Sequence, residues 1–150
     1  MRYILTSIFH IFLTISVFSQ CNSSQIITTN DSLTLKTHCS HEYYASVNTV
    51  TPKGSYINCS NFRMATSLLV KRVVNDSIDF DIQIVSYKSL TIRGLNIVSY
   101  FNNDGFYFSK DFKEENRRLA PSNKVIIYEI VAKLPSSEQI ILNPLLYIME

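Results

Sequence analysis

Apolar and polar positions alternate with a period of two over most of the chain beyond residue 31, a pattern that predicts strands rather than helices. Leu33 and Leu35 alternate with Thr34 and Lys36. Tyr43–Val50 reads as a strand ended by the turn chemistry of Thr51-Pro52-Lys53-Gly54, and Tyr56–Cys59 as a short extended piece. Phe62, Met64, Leu68 and Val70 alternate on a segment that runs to Val74, where Asn75-Asp76-Ser77 turns the chain. Ile78, Phe80, Ile82 and Ile84 then alternate with Asp79, Asp81 and Gln83, the clearest half-buried strand pattern in the sequence.

The second half continues in the same way. Leu90 and Ile92 precede Arg93-Gly94, which predicts a bulge or kink. Leu95, Ile97, Ser99 and Phe101 share one side of the next strand, and Asn102-Asn103-Asp104-Gly105 carries a hairpin signal that returns the chain along Phe106–Phe112. Lys113–Asn123 is polar and predicts a loop with some helical turn. Val125–Leu134 has apolar residues on both faces and predicts a central strand. Ser136 and Gln139 suit the start of a short helix over Ser136–Leu142, stopped by Asn143-Pro144, and Leu145–Met149 is a final strand. The sum is a mainly β domain, an antiparallel β-sandwich or partly open barrel with one short helix near the C-terminus. The hairpin, strand, capped turn and terminal strand over roughly residues 95–150 resemble those of small exported bacterial β-domain proteins of unknown function. That resemblance is structural, and no functional residue follows from it.

The N-terminus breaks this pattern. After Met1-Arg2-Tyr3, the run Ile4–Phe18 is mostly apolar and uncharged, and Val17-Phe18-Ser19 offers a cleavage site before Gln20. A basic start, an apolar centre and such a site make a secretory signal peptide over residues 1–19. The run is shorter than the roughly 20 helical residues that cross a hydrocarbon core, which disfavours a retained anchor. Residues 20–31, rich in Ser, Thr and Asn, are expected to be a flexible lead-in, and 32–150 one β-rich domain. Cys21 follows the apolar run as a lipid-bearing cysteine would, but Gln20 is not the small residue such processing favours. The membrane is thus met only through the leader or through a lipid on Cys21, and a periplasmic or extracellular location is expected.

Charge narrows the partners. The chain holds 14 basic and 12 acidic side chains, and Arg2 leaves with the leader, so the remainder is near neutral. That excludes an electrostatic case for nucleic acid or an anionic membrane. Lys113, Arg117, Arg118 and Lys124 are interleaved with Glu114 and Glu115, a mixed solvated face.

Export directs attention to the cysteines. Cys39 and Cys59 lie in folded-looking segments and are the expected disulfide, closing a loop of about 20 residues worth on the order of 3 kcal/mol; two buried free thiols are the alternative. His38 and His41 beside Cys39 and Glu42 form the only stretch with several metal-ligand types, but zinc needs three or four converging ligands and two solvated histidines fit the pattern better. A Cys–His nucleophile pair lacks an orienting third group.

Asp79 and Asp81 would point to one side of a strand about 6–7 Å apart, a spacing open to carboxylate acid–base chemistry but also that of any solvated face. Asn103-Asp104-Gly105 lacks the full calcium-loop pattern. Tyr43, Tyr44, Tyr87, Tyr100, Tyr107 and Tyr128 are candidates for an exposed aromatic surface taking a peptide or sugar. Asn22, Asn30, Asn58 and Asn75 each begin an N-x-Ser sequon, which matters in a eukaryotic or viral source. No cofactor motif is present. The expected function is a non-enzymatic exported module binding a protein or small ligand; the alternatives are a small secreted hydrolase using Asp79 and Asp81, or a secreted glycoprotein binding a partner.

Overall fold

The computed structural model describes residues 25–27, 35–48 and 55–150. The expected signal peptide over residues 1–19, Cys21, Asn22, Asn30 and the expected turn at 51–54 lie outside them. The described chain is mainly β, and its strands are β1 (Gln25–Ile27), β2 (Leu35–Cys39), β3 (Tyr43–Val47), β4 (Tyr56–Ile57), β5 (Leu68–Arg72), β6 (Gln83–Arg93), β7 (Asn96–Asp104), β8 (Lys124–Lys133), β9 (Gln139–Leu142) and β10 (Leu145–Met149). Two short helices, α1 (Cys59–Met64) and α2 (Lys110–Asn116), join them.

The strands form two sheets, one large and one a β3–β5 ribbon, and neither closes into a barrel among the described residues. β8 is central, as its two apolar faces predict. Antiparallel β6 lies along one edge of β8, with β7 outside it, and antiparallel β9 and β10 lie along the other. β9 and β10 keep one register against β8: Ile130 faces Leu142 and, three residues on in both strands, Ile127 faces Leu145. They are therefore one ribbon interrupted at Asn143-Pro144. β2 and β4 add to its far side in parallel, so the sheet is mixed rather than purely antiparallel. β1 pairs with β2, which places Gln25–Ile27 of the expected flexible lead-in within the sheet.

One side of this sheet holds the main core. Val125, Ile127, Tyr147 and Met149 pack there with Phe62 of α1, Phe112 of α2 and Ala45, Val47, Leu68 and Val70 of the ribbon. The Tyr147 hydroxyl accepts the Val47 amide, tying ribbon to sheet.

The inward residues do not keep strict alternation. On β8 they are Val125 and Ile127, then Ile130 and Ala132; on β6 they step from Ile84 to Tyr87; on the β9–β10 ribbon they step from Leu142 to Leu145. Each of three adjacent strands therefore inserts one extra residue at one level of the sheet. On β8 that level is Glu129, whose φ of 48° is left-handed, and on the neighbouring ribbon it is Asn143-Pro144, where proline has no ladder donor. Because every strand shifts, the registers on either side of this line agree: Ile84 faces Ala132 and Lys88 faces Tyr128, four residues on in both strands.

Several local expectations change. The alternation Phe62–Val70 is part helix, because Asn58 accepts the Ser60 amide as an N-cap and Cys59 and Phe62, three apart, share the buried face. The hairpin between β6 and β7 turns at Gly94, whose φ of 62° suits it, rather than at Asp104-Gly105. After Gly105 the chain leaves the sheet: of the expected Phe106–Phe112 strand only a single bridge from Tyr107 to Ser67 forms, and α2 takes over from Lys110, with Ser109 capping it at the Phe112 amide. The helix expected over Ser136–Leu142 is instead a turn, with Ser137 at a φ of 70°, followed by β9. A helix of one and a half turns is unstable alone, whereas Ile140 and Leu142 gain a ladder with β8 and a place in the core.

Candidate functional site

The sequence-predicted groups are dispersed rather than assembled. Asp79 is buried and not on a solvated face. Its carboxylate accepts from Arg72 Nε at 2.8 Å and from the Asp81 amide at 3.1 Å, and its own amide donates to the Val70 carbonyl. This knot turns Asp79 inward and inverts the expected alternation over Ile78–Phe80, with Phe80 thrust out, 82 % exposed, whereas Ile82 and Ile84 are buried and Asp81 exposed as expected; the strand itself begins only at Gln83. The ion pair with Arg72 raises the guanidinium's pKa, first through the hydrogen bond to Asp79. Asp79 is thus the buried centre of a structural turn, and Asp81 an exposed carboxylate.

The Cys39–Cys59 bridge is not seen. Cys59 is a free, buried thiol. β2 sets Cys39 beside Ile141, whereas the Cys59 amide donates to the Glu150 carbonyl beyond β10. Since β9 and β10 form one ribbon, the two backbones are separated along it by on the order of 25 Å, against a Cα separation of about 7 Å at most for a disulfide. Likewise β3 pairs with β5, not with β4. His38 is in β2, where only its backbone position, facing Ile140, is described; His41 is exposed. Among the described residues no three His, Cys, Asp or Glu side chains converge.

Of the other candidates, Asn103 is buried and structural: its amide donates to Ser89 Oγ and its carbonyl accepts the Ser109 amide. The sequon residues Asn58 and Asn75 are exposed, and each accepts a hydrogen bond from the amide of its own serine two residues on.

The tyrosines divide between faces. Tyr87 points inward and donates to the Tyr107 carbonyl. Tyr100 and Tyr128 are on the outer face of the large sheet, where a second apolar cluster forms from Leu90, Ile126 and Tyr128 with Ile92, Ile97 and Leu146 around it. Tyr100, opposite Leu90, is 50 % exposed, and its hydroxyl donates to Asn102 at 3.0 Å. Lys88, opposite Tyr128, makes an ion pair with Glu129, the residue of the β8 bulge. The hydrogen bond to Glu129 raises the Lys88 ammonium's pKa, and burial, followed by the neighbouring Tyr100 hydroxyl, raises that of the Tyr128 phenol. An exposed ring, two tyrosine hydroxyls, an amide and a fixed ion pair thus border an apolar centre. The bulge assembles this group: it puts Glu129 beside Lys88, a juxtaposition that strict alternation does not predict.

These buried phenols set an alkaline limit. Burial pushes Tyr147 up to about 12 and Tyr87 higher still. Above pH 10 the unfolded chain releases these protons while the folded chain keeps them, so the unfolded state binds fewer protons and stability falls as pH rises. The urea midpoint followed by circular dichroism is expected to be insensitive to these groups below about pH 10 and to drop between about 10 and 12, Tyr147 alone accounting for on the order of 2–3 kcal/mol. A midpoint unchanged to pH 12 would contradict the burial of these hydroxyls.

Fold and site together define a mainly β domain with a bordered aromatic–apolar patch on the outer face of its large sheet. Compared with known proteins, the chain matches no family model and no curated protein.

Proposed function

We propose that this is a non-enzymatic binding module, exported to the periplasm or the extracellular space, and that the outer face centred on Tyr100 takes a protein partner. The single observation that carries the reading is the composition of that face: a half-exposed tyrosine directly opposite Leu90, at the β7 side of the apolar cluster of Leu90, Ile126 and Tyr128, with the Lys88–Glu129 pair on the same sheet. Protein interfaces combine an apolar, tyrosine-rich centre with a polar rim, and tyrosine contributes contact area at a small entropy cost. The Asp79 knot supports the non-enzymatic reading, since its carboxylate is committed to Arg72 and the Asp81 amide. The leader pattern in Met1–Ser19 supports export.

A photo-crosslinking side chain placed at Tyr100 in the native host tests this, with the same group at exposed Glu138 as the control. A discrete adduct recovered from the exported fraction at position 100 and absent at 138 is the expected result. Equal labelling at both positions, or none at 100, would defeat the assignment of this face.

A further inference from the structure

The inner side of the β6–β7 hairpin is polar where a core is normally apolar. Residues Tyr87, Ser89, Thr91 and Arg93 alternate along it on β6, and Ser99, Phe101 and Asn103 face three of them on β7. α2 lies over this surface. Its N-terminus is fixed at Asn103, which accepts the Ser109 amide, and one turn on Phe112 packs against Phe101 with ring centroids 5.6 Å apart. A further turn brings Glu115 and Asn116, on the same helix face as Phe112, to the level of Ser99 and Thr91, and there Glu115 binds Arg93. Thr91 and Ser99 are direct cross-strand partners, with Cβ atoms about 5 Å apart.

In this seam the polar atoms are left over. Thr91 Oγ1, Ser99 Oγ, Arg93 Nε and both Asn116 Nδ2 and Asn116 Oδ1 are buried without a hydrogen-bond partner. Asn116 is 1 % exposed and Thr91 is fully buried. Folded proteins rarely leave such groups unpaired, so a group of them along one interface suits a small polar guest.

The chemistry of the leftover atoms selects its class. Arg93 Nε and Asn116 Nδ2 only donate, Asn116 Oδ1 only accepts, and the two hydroxyls do both. A carboxylate has no proton for Asn116 Oδ1, and either a carboxylate or a phosphate brings its negative charge up to the Glu115 carboxylate. A bare cation accepts nothing from Arg93 or Asn116 Nδ2. A hydroxyl group donates and accepts at once. The geometry points to an internal binding site beneath α2 for a small hydroxyl-bearing guest, water or an alcohol, held between Thr91, Ser99, Arg93 and Asn116. This site is on the opposite face from Tyr100 and stands independently of the reading of that face.

The sign of a stability change tests it. Asn116→Leu and Thr91→Val each replace an unpaired polar group by an apolar one of similar size. In an empty seam both relieve an unsatisfied group and raise the melting temperature. In an occupied seam both discard bonds to the guest, and each is expected to lower it by about 2–5 °C, with the double variant losing less than the two separately because one guest serves both. Thr91→Ser, which keeps the hydroxyl, is expected to restore most of the Thr91→Val loss. A crystal structure of the exported protein is expected to show ordered density about 2.7–3.2 Å from Asn116 Nδ2 and Thr91 Oγ1. Native mass spectrometry then separates the sources: a small mass surplus lost on denaturation identifies an alcohol, and none identifies water. A rise in melting temperature for either variant, or a seam without density, overturns the proposal.

Discussion

Deletion of Glu129 is expected to abolish folding. Glu129 is the extra residue that moves the inward positions of β8 from Val125 and Ile127 to Ile130 and Ala132. Without it, strict alternation sends Ile130 and Ala132 outward, while Ile84 on β6 and Leu142 on β9 remain inward, because those strands keep their own extra residues. A one-residue slip exchanges every side chain between faces. Loss of a buried Ile alone costs about 2–5 kcal/mol, and the mismatch reaches β6 and β9 as well, against a total stability of about 5–15 kcal/mol. Circular dichroism and urea denaturation of the deletion variant are expected to show no cooperative transition. Glu129→Gly is the control, since it keeps the residue and removes only the side chain. It relieves a left-handed conformation worth about 1 kcal/mol and loses an exposed ion pair to Lys88 worth about 0–1 kcal/mol, so a midpoint close to wild type is expected. A deletion variant that unfolds cooperatively at the wild-type midpoint would show that the bulge does not set the register.

Phe112→Ala carries the second largest effect. Its ring is fully buried and meets Phe108 at 4.8 Å and Phe101 at 5.6 Å between centroids. α2 is two turns long and has no stability of its own, so this side chain is its main hold on the β6–β7 hairpin. The cavity left by truncation is expected to cost about 3–5 kcal/mol, read as a large fall in the urea midpoint. Glu114→Ala, exposed on the same helix, is expected to change it by less than about 0.5 kcal/mol. Comparable losses for the two variants would mean that α2 is not anchored through Phe112.

Periodicity by itself carried the β class, the central position of β8 and the terminal strand, because alternation and two apolar faces are properties of a strand that do not depend on which neighbours it finds. It failed where local and tertiary preferences compete. The Ser136–Leu142 segment has a helix cap in its sequence, yet its apolar residues are better buried in a ladder shared with β8. Cys59 to Met64 was readable as a helix from the Asn58 cap and the spacing of Cys59 and Phe62, signals hidden by the alternation that follows. Asp79 looked solvent-facing because its neighbours are apolar; only the fold brings Arg72 to it and turns Phe80 outward.

The same division holds for function. A leader pattern, near-neutral charge and the types of residue available for chemistry are one-dimensional properties, and the sequence by itself determined them. Which tyrosines share a face, the distance between Cys39 and Cys59, and the polar seam under α2 depend on strand order and on one inserted residue in each of three adjacent strands. No window of sequence encodes that coincidence, because an insertion in one strand is tolerated only when its neighbours shift at the same level, and that condition exists only once the strands are side by side.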